Sequence, residues 1–266
     1  MFKYQILIPS SILILWLILA ILGPWFPLEP NHIILPNILQ PPSLSEWLGY
    51  DDLGRPVLDR LMMGARTSFF VAFGVITVSL TVGTLIGTIS GWFGGYIDLI
   101  IVRIMDVFLA FPGILLAIAL SGILGPGIEN VVFALSVVGW VGFARITRAQ
   151  TLSLKHREHV LAARALGASI PRILRYHIIP LLMAPLLIEA TFGIAGIVIA
   201  EAGLSFLGLG VQPPAASWGS MIRDGTGYML VAPHIVLAPG LTLLLVVLSV
   251  NMLGDKLRDK LDVKSQ

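Results

Sequence analysis

Four stretches of this chain, residues 4–28, 67–97, 107–128 and 225–254, contain no Asp, Glu, Lys or Arg. A helix needs about 20 predominantly apolar residues to cross the hydrocarbon core of a bilayer, and each run reaches that length. Lipid offers no partner for backbone amides, so such a run must satisfy its own hydrogen bonds as a helix. The composition agrees. Only 12% of the 266 residues are charged, against about 25% in soluble domains, and mean hydropathy is +0.92. A net charge of +2 is too small to suggest nucleic acid as a partner. The chain has no cysteine, which excludes disulfides, thiol catalysis and Cys-ligated metals.

The pattern predicts an all-α, polytopic fold with six spans, near 6–22, 69–90, 107–124, 130–147, 181–200 and 235–253. The first follows Lys3 as a signal peptide would. However, L-A-I-L-G-P-W offers no A-x-A-like cleavage site, so it reads as an uncleaved span. Residues 1–68 then comprise this span, a Pro- and Asn-rich loop and an interfacial helix. In that helix Val57, Leu58, Leu61 and Met62 form one face, opposite Asp59 and Arg60. A metal site from Asp51, Asp52 and Asp59 is the weaker reading of the same segment. Residues 69–253 form the core, and 254–266 a charged tail. Gly83, Gly87 and Gly91 recur every fourth residue, placing them on one helix face where a second helix can approach closely. Phe111-Pro112 is expected to kink the third span.

Six spans put both termini on one side. That side would hold thirteen of the seventeen Lys and Arg residues, seven of them between Arg145 and Arg175, and the other face four. Basic residues stay cytoplasmic. The termini and the loop at about 150–180 are therefore expected in the cytoplasm of a prokaryotic cell, whose inner membrane the chain would cross repeatedly.

Within that loop, Val160, Ala163 and Gly167 follow helical spacing, and Ala162, Ala165 and Ala168 keep the girth small. Gly167 suits a helix stop, and Ser169 suits the cap of a second helix with Pro171 in its first turn. Two short helices would make a bent prong below the membrane. The same residues also suit a connecting loop that snorkels its arginines to lipid phosphates. The residues alone do not separate these readings.

The segment E-H-V-L-A-A-R-A-L-G-A-S-I-P-R-I-L-R-Y-H-I-I-P, residues 158–180, resembles the cytoplasmic EAA signature of ABC importer permeases. Ala162, Ala163, Gly167 and Pro180 match in register, while Leu161, His177 and Ile179 stand where the general pattern has Glu, Ile and Leu. The departures resemble the dipeptide/oligopeptide/nickel branch, specifically its second, C-type permease subunit. So do L-G-Y-D-D-L-G-R-P-V-L-D-R-L-M-M-G-A-R-T-S, G-W-F-G-G-Y-I-D-L-I-I-V-R-I-M-D-V-F-L-A-F-P and E-A-G-L-S-F-L-G-L-G-V-Q-P-P-A-A-S-W-G-S-M. Tyr50, Pro56 and Asp59 depart from the branch's usual Thr, Asp and Ser. The resemblance covers about 48–253. It implies the type I importer permease fold and a coupling helix near 158–167 that docks into a cleft on a cytoplasmic ATPase. Glu158, Val160, Ala162, Ala163, Arg164, Gly167 and Ser169 would carry that coupling. Implied partners are a homologous second permease, one or two kinds of ATPase subunit, a solute-binding protein outside the membrane, and the surrounding lipid. Di- or oligopeptides, or nickel, would be the cargo.

Glu189 falls inside the fifth span and Glu201 just beyond it. A carboxylate at mid-bilayer costs about 2.5–3.5 kcal/mol on insertion scales, so both are candidates for lining a water-filled pathway or for bonding to a neighbouring helix. Asp98, Arg103 and Asp106 could pair with the ATPase or with each other and headgroups, and the second reading is favoured. His156, His159 and His177 are too scattered for a metal site. Gly203, Gly208, Gly210, Pro213, Pro214 and Trp218 suggest a re-entrant or interfacial outer segment, with packing favoured over substrate contact.

The chain lacks G-x-x-x-x-G-K-[ST], and none of its five lysines follows a glycine. It cannot cradle a nucleotide phosphate in a P-loop. No cofactor is expected on this chain; a partner would bind and hydrolyse ATP with Mg. An ion-driven secondary transporter would need more acidic groups in the spans than Glu189. An intramembrane enzyme would need a nucleophile–base or His-rich arrangement that the spans lack.

Overall fold

A computed structural model describes residues 2–262; the end of the charged tail, including Lys264, lies outside the described residues. The described chain is helical, without a β-strand among those residues. Five helices are long and apolar enough to cross a membrane, and the count is six if a bent pair of shorter helices is taken as one span. The chain is a multi-pass membrane protein.

Helix α1, Phe2–Leu22, ends at Gly23-Pro24 as expected, since proline cannot continue the helix. Helix α2 is Val57–Phe93, one uninterrupted element of 37 residues. This corrects the expectation of a separate interfacial helix before the second span. At 1.5 Å per residue it is roughly 55 Å long, well beyond the ~30 Å of the hydrocarbon core. Its first turns therefore project from the bilayer. Arg60, expected on a solvated face, is instead buried at 3% exposure, with Nε 3.4 Å from Asp51 Oδ2. Asp51 also accepts from the backbone N–H groups of Leu53 and Arg55 and from Arg55 Nε at 2.7 Å. The carboxylate thus folds its own loop around two guanidinium groups. Asp59 accepts from Glu29 N, so it is turned away from that cluster.

The third crossing is broken. Helix α3, Gly95–Leu109, and helix α4, Gly113–Leu124, meet at 84°. Phe111-Pro112 is the elbow: Pro112 caps α4 with an extended ψ of 124°, consistent with proline's preference for the start of a helix. Helix α5, Ile128–Leu154, runs back along α2. The pair α2 and α5 is the most extensively packed in the fold, and the glycine stripe is the reason. A Cβ on Gly83 would strike the carbonyl of Trp140, and one on Gly87 would strike Thr147 Oγ1 and the carbonyl of Ala144. A Cβ on Gly91 would lie 2.8 Å from the carbonyl oxygen of Arg148.

Helices α6, Glu158–Ala165, and α7, Ile170–Ile173, form the loop that follows α5. They lead into α8, Ile179–Phe206, which spans the membrane. Helix α9, Trp218–Thr226, is short and packs against α8 and against α10, His234–Asp262, the last spanning helix. The end of the bundle that carries α9 is held by a cluster containing Trp16, Val57, Ala65, Trp218, Met221 and Ile235. Trp16 donates from Nε1 to Ala65 O at 2.9 Å, and Trp218 from Nε1 to Leu61 O at 3.2 Å. Trp218 packs in this core, in keeping with the packing reading of the outer segment.

Candidate functional site

The loop between α5 and α8 is a bent prong whose inner side is anchored. Val160 is 1% exposed and joins Leu154, Ile173, Ile178 and Leu182 in one apolar cluster, with Trp92, Ala163 and Ala168 packed against it. Glu158, Leu161, Ala162, Arg164, Ala165, Leu166 and Gly167 face outward. Leu166 is 88% exposed. The eight-residue helix therefore has a small outer face and an apolar inner foot.

Gly167 ends α6 in a left-handed conformation, φ +81°. Its N–H donates to Arg164 O and that of Ala168 to Ala163 O, both at 3.0 Å. These two bonds make a Schellman cap, which satisfies carbonyls otherwise orphaned at the helix end. Nothing lies within 4 Å of where a Gly167 Cβ would sit. Ser169 occupies the N-cap position of α7, but its side chain makes no capping bond; only its carbonyl accepts, from Ile173 N at 3.0 Å. That corrects the expected hydroxyl cap.

The second arm is not a separate helix either. From Ile173 the chain passes through a π-helical turn, Leu174–Ile178, directly into α8. Pro180 lacks an N–H, and its ring crowds the carbonyl four residues back in a regular helix. The wider π turn just before it accommodates this without stopping the helix. The prong is thereby one piece with α8. His159 and His177 lie with ring centroids 6.2 Å apart.

The ends of α2, α3 and α5 are pinned directly above the prong. Arg148 donates from Nε and Nη2 to Asp98 at 2.5 and 2.7 Å, and Ser90 Oγ donates to the same carboxylate at 2.6 Å. Lys155 Nζ donates to Gly91 O at 2.8 Å. Arg103 stands 3.9 Å from Asp106, an exposed pair, so the expected local pairing holds for those two residues and not for Asp98.

The two intramembrane acids part company. Glu201 lies inside α8, not beyond the span, and is 1% exposed. It accepts from Ser68 Oγ of α2 at 3.0 Å and from Ser205 Oγ at 2.7 Å. It bolts α2 to α8 and lines neither of the cavities described next. Glu189 lines two. A cavity of about 620 Å³ near the end of α5 that leads to the prong has Asp106 of α3, Gly142, Arg145 and Arg148 of α5, and Glu189 in its wall. A second, of about 350 Å³ and mostly apolar, is bounded by Ile76 and Ser79 of α2, Gly113 and Ile114 of α4, Gly139 of α5, and Gly193 of α8, and shares Glu189. A Cβ on Gly142 would lie 2.9 Å from Glu189 Oε1, and one on Gly139 would lie 2.6 Å from Ser79 Oγ. Gly142 and Gly139 make room for the groove, and their spacing on α5 was the available signal for it.

A set of bent and continuous spanning helices, an uncovered groove and a prong fused to one wall are the architecture of a helical permease subunit. The chain matches the family described as binding-protein-dependent transport system inner membrane component over residues 83–263, and it belongs to that family. It is 42% identical over 228 residues to the dipeptide transport system permease protein DppC of Alkalihalophilus pseudofirmus, covering 86% of this chain and 75% of the relative. It is 40% identical over 264 residues to the glutathione transport system permease protein GsiD of Escherichia coli O6:K15:H31, covering 98% of this chain and 87% of the relative. Among solved structures, the fold is similar to two inward-facing crystal forms of the MetNI methionine ABC transporter. The TM-scores are 0.57 and 0.58 at 19% and 21% identity, over 76% and 82% of this chain and 95% and 98% of those chains. Membership implies an ATPase and further subunits as partners.

Proposed function

We propose that this permease forms half of the translocation pathway of an ATP-driven importer of short peptides. A homologous permease would supply the other half, and a solute-binding protein would deliver cargo from outside. The peptide assignment is supported by relatives named for dipeptide and glutathione transport, glutathione being itself a short peptide. The excess of basic residues between Arg145 and Arg175 supports a cytoplasmic position for the prong and both termini. With no P-loop in the sequence, Mg and ATP belong on the partner.

The observation that carries the mechanism is the continuity from α7 through the π turn into α8, with α6 held to that rod by packing of Val160 on Ile173, Ile178 and Leu182. The outward face at Glu158, Ala162, Arg164 and Gly167 sits in the ATPase cleft, while Val160 and Ala163 brace the prong from behind. Closure of the ATPase pair on ATP moves α6, and α8 follows with Glu189 on its pathway side. The tightly interlocked α2–α5 pair is the frame against which α8 shifts.

Gly167 tests this. Its open surroundings and positive φ separate bulk from strain. Gly167→Asn, which tolerates the left-handed region, keeps ATP-driven uptake near wild type. Gly167→Trp abolishes uptake and releases the ATPase on copurification, while insertion is unchanged. Normal uptake by the Trp variant would sink the docking assignment.

A further inference from the structure

The charged groups around the lower cavity are unequal in their commitments. Arg148 is spent on Asp98, and Asp106 lies beside Arg103. Glu189 and Arg145 share the cavity wall, yet among the described residues neither makes a hydrogen bond or ion pair. Glu189 is half-buried within a spanning helix, where an acid without a counter-charge is costly. Two opposite charges facing one space without joining across it leave room for a molecule that carries both signs.

The dimensions narrow the choice. Gly142, which faces Glu189 Oε1, is three residues from Arg145 on α5, an offset of about 4.5 Å along the axis. An extended dipeptide spans at most ~7 Å, and the arginine side chain covers the difference. The cavity volume of about 620 Å³ falls within the ~300–1,000 Å³ of small-molecule sites. The apolar cavity above Glu189, bounded by Ile76, Leu135, Val138 and Phe143, offers space for a side chain.

We propose that the groove itself reads both ends of its cargo: the free ammonium of a short peptide on Glu189 and its free carboxylate on Arg145. This rests on the peptide-importer reading and adds that recognition continues in the permease after the binding protein lets go. An extended chain of more than about three residues overshoots the two positions, so the site favours peptides of two or three residues.

The test uses the assembled permease–ATPase complex in nanodiscs, nucleotide-free and without binding protein. Equilibrium binding is measured for alanyl-alanine, N-acetyl-alanyl-alanine and alanyl-alanine amide. The wild type holds the free dipeptide about tenfold tighter than either blocked form, as for loss of one charge-assisted contact. Glu189→Gln loses the preference over the N-acetyl form alone, and Arg145→Gln the preference over the amide alone. Equal wild-type binding of all three, or variants that keep the full preference, overturns the proposal; in that case Glu189 and Arg145 answer charges on the second permease. ATP-driven uptake of alanyl-alanine with the binding protein present is measured in parallel. Uptake without terminal discrimination removes only the paired-charge site. No uptake of any short peptide removes the importer reading and this site with it.

Discussion

Replacing Val160 with Ala separates bracing of the prong from contact with the ATPase. Val160 is 1% exposed and is the fully buried side chain of an eight-residue helix. Helices this short are not stable on their own, so α6 depends on its foot. Deleting two buried carbons removes about 1.6 kcal/mol at ~0.8 kcal/mol each, and the unfilled space adds to that. A loss of about 2 kcal/mol multiplies the population of the detached prong roughly thirtyfold. Hydrogen exchange reads this directly at Leu161 and Leu166, whose amides donate to Arg157 O at 3.1 Å and Ala162 O at 3.0 Å. Their exchange should quicken by about that factor, with the α2–α5 amides unchanged. Uptake per ATP hydrolysed should fall while the ATPase remains bound. Leu166→Ala, altering an outward side chain, should do the reverse: unchanged exchange and weaker ATPase retention. Wild-type exchange across α6 in Val160→Ala would refute the anchoring argument.

Three further outcomes follow from other parts of the fold. Gly87→Leu must displace Thr147 and the Ala144 carbonyl. It should cost more than about 3 kcal/mol and show as lost monodisperse yield in detergent. Gly74→Ala on the same helix meets nothing nearer than Val132 at 3.9 Å, and should match or slightly exceed wild-type thermal stability. At the outer loop, burial and then the adjacent Asp51 raise the Asp52 carboxyl above its ordinary value, with Arg55 only partly opposing them. A raised acid is easier to protonate in the folded state, so its ionisation weakens the loop as pH climbs from the ordinary carboxylate value through the folded one. Asp52→Asn should therefore raise Tm at neutral pH, with the gain vanishing in acid; a gain that persists in acid would contradict the cause given.

The sequence made the spans, the glycine stripe and the Gly167 stop legible because each rests on local chemistry: apolar length, helical spacing, a residue that accepts positive φ. What escaped depended on partners far along the chain. Arg60 looked like a solvated charge because its counter-ion, Asp51, precedes the helix across a turn. Asp98 had a nearer candidate in Arg103, yet bonds to Arg148 fifty residues away. The π turn before Pro180 followed from the proline's missing N–H, but a helix break was an equally good reading of the same residue. Glu201 and Glu189 looked alike as acids near one span; Ser68 and Ser205 around one, and glycines opposite the other, separate a bolt from a groove wall.

The central claim is that the outer face of α6 sits in the ATPase while its inner face holds the prong to α8. Because the chain has no cysteine of its own, single cysteines report contact without background. Cysteines at Ala162, Ala165 and Leu166 should cross-link to a cysteine-bearing ATPase cleft in the assembled complex, and a cysteine at Val160 should not. Cross-links from Val160 and none from the other three would show that the opposite face of the prong meets the ATPase.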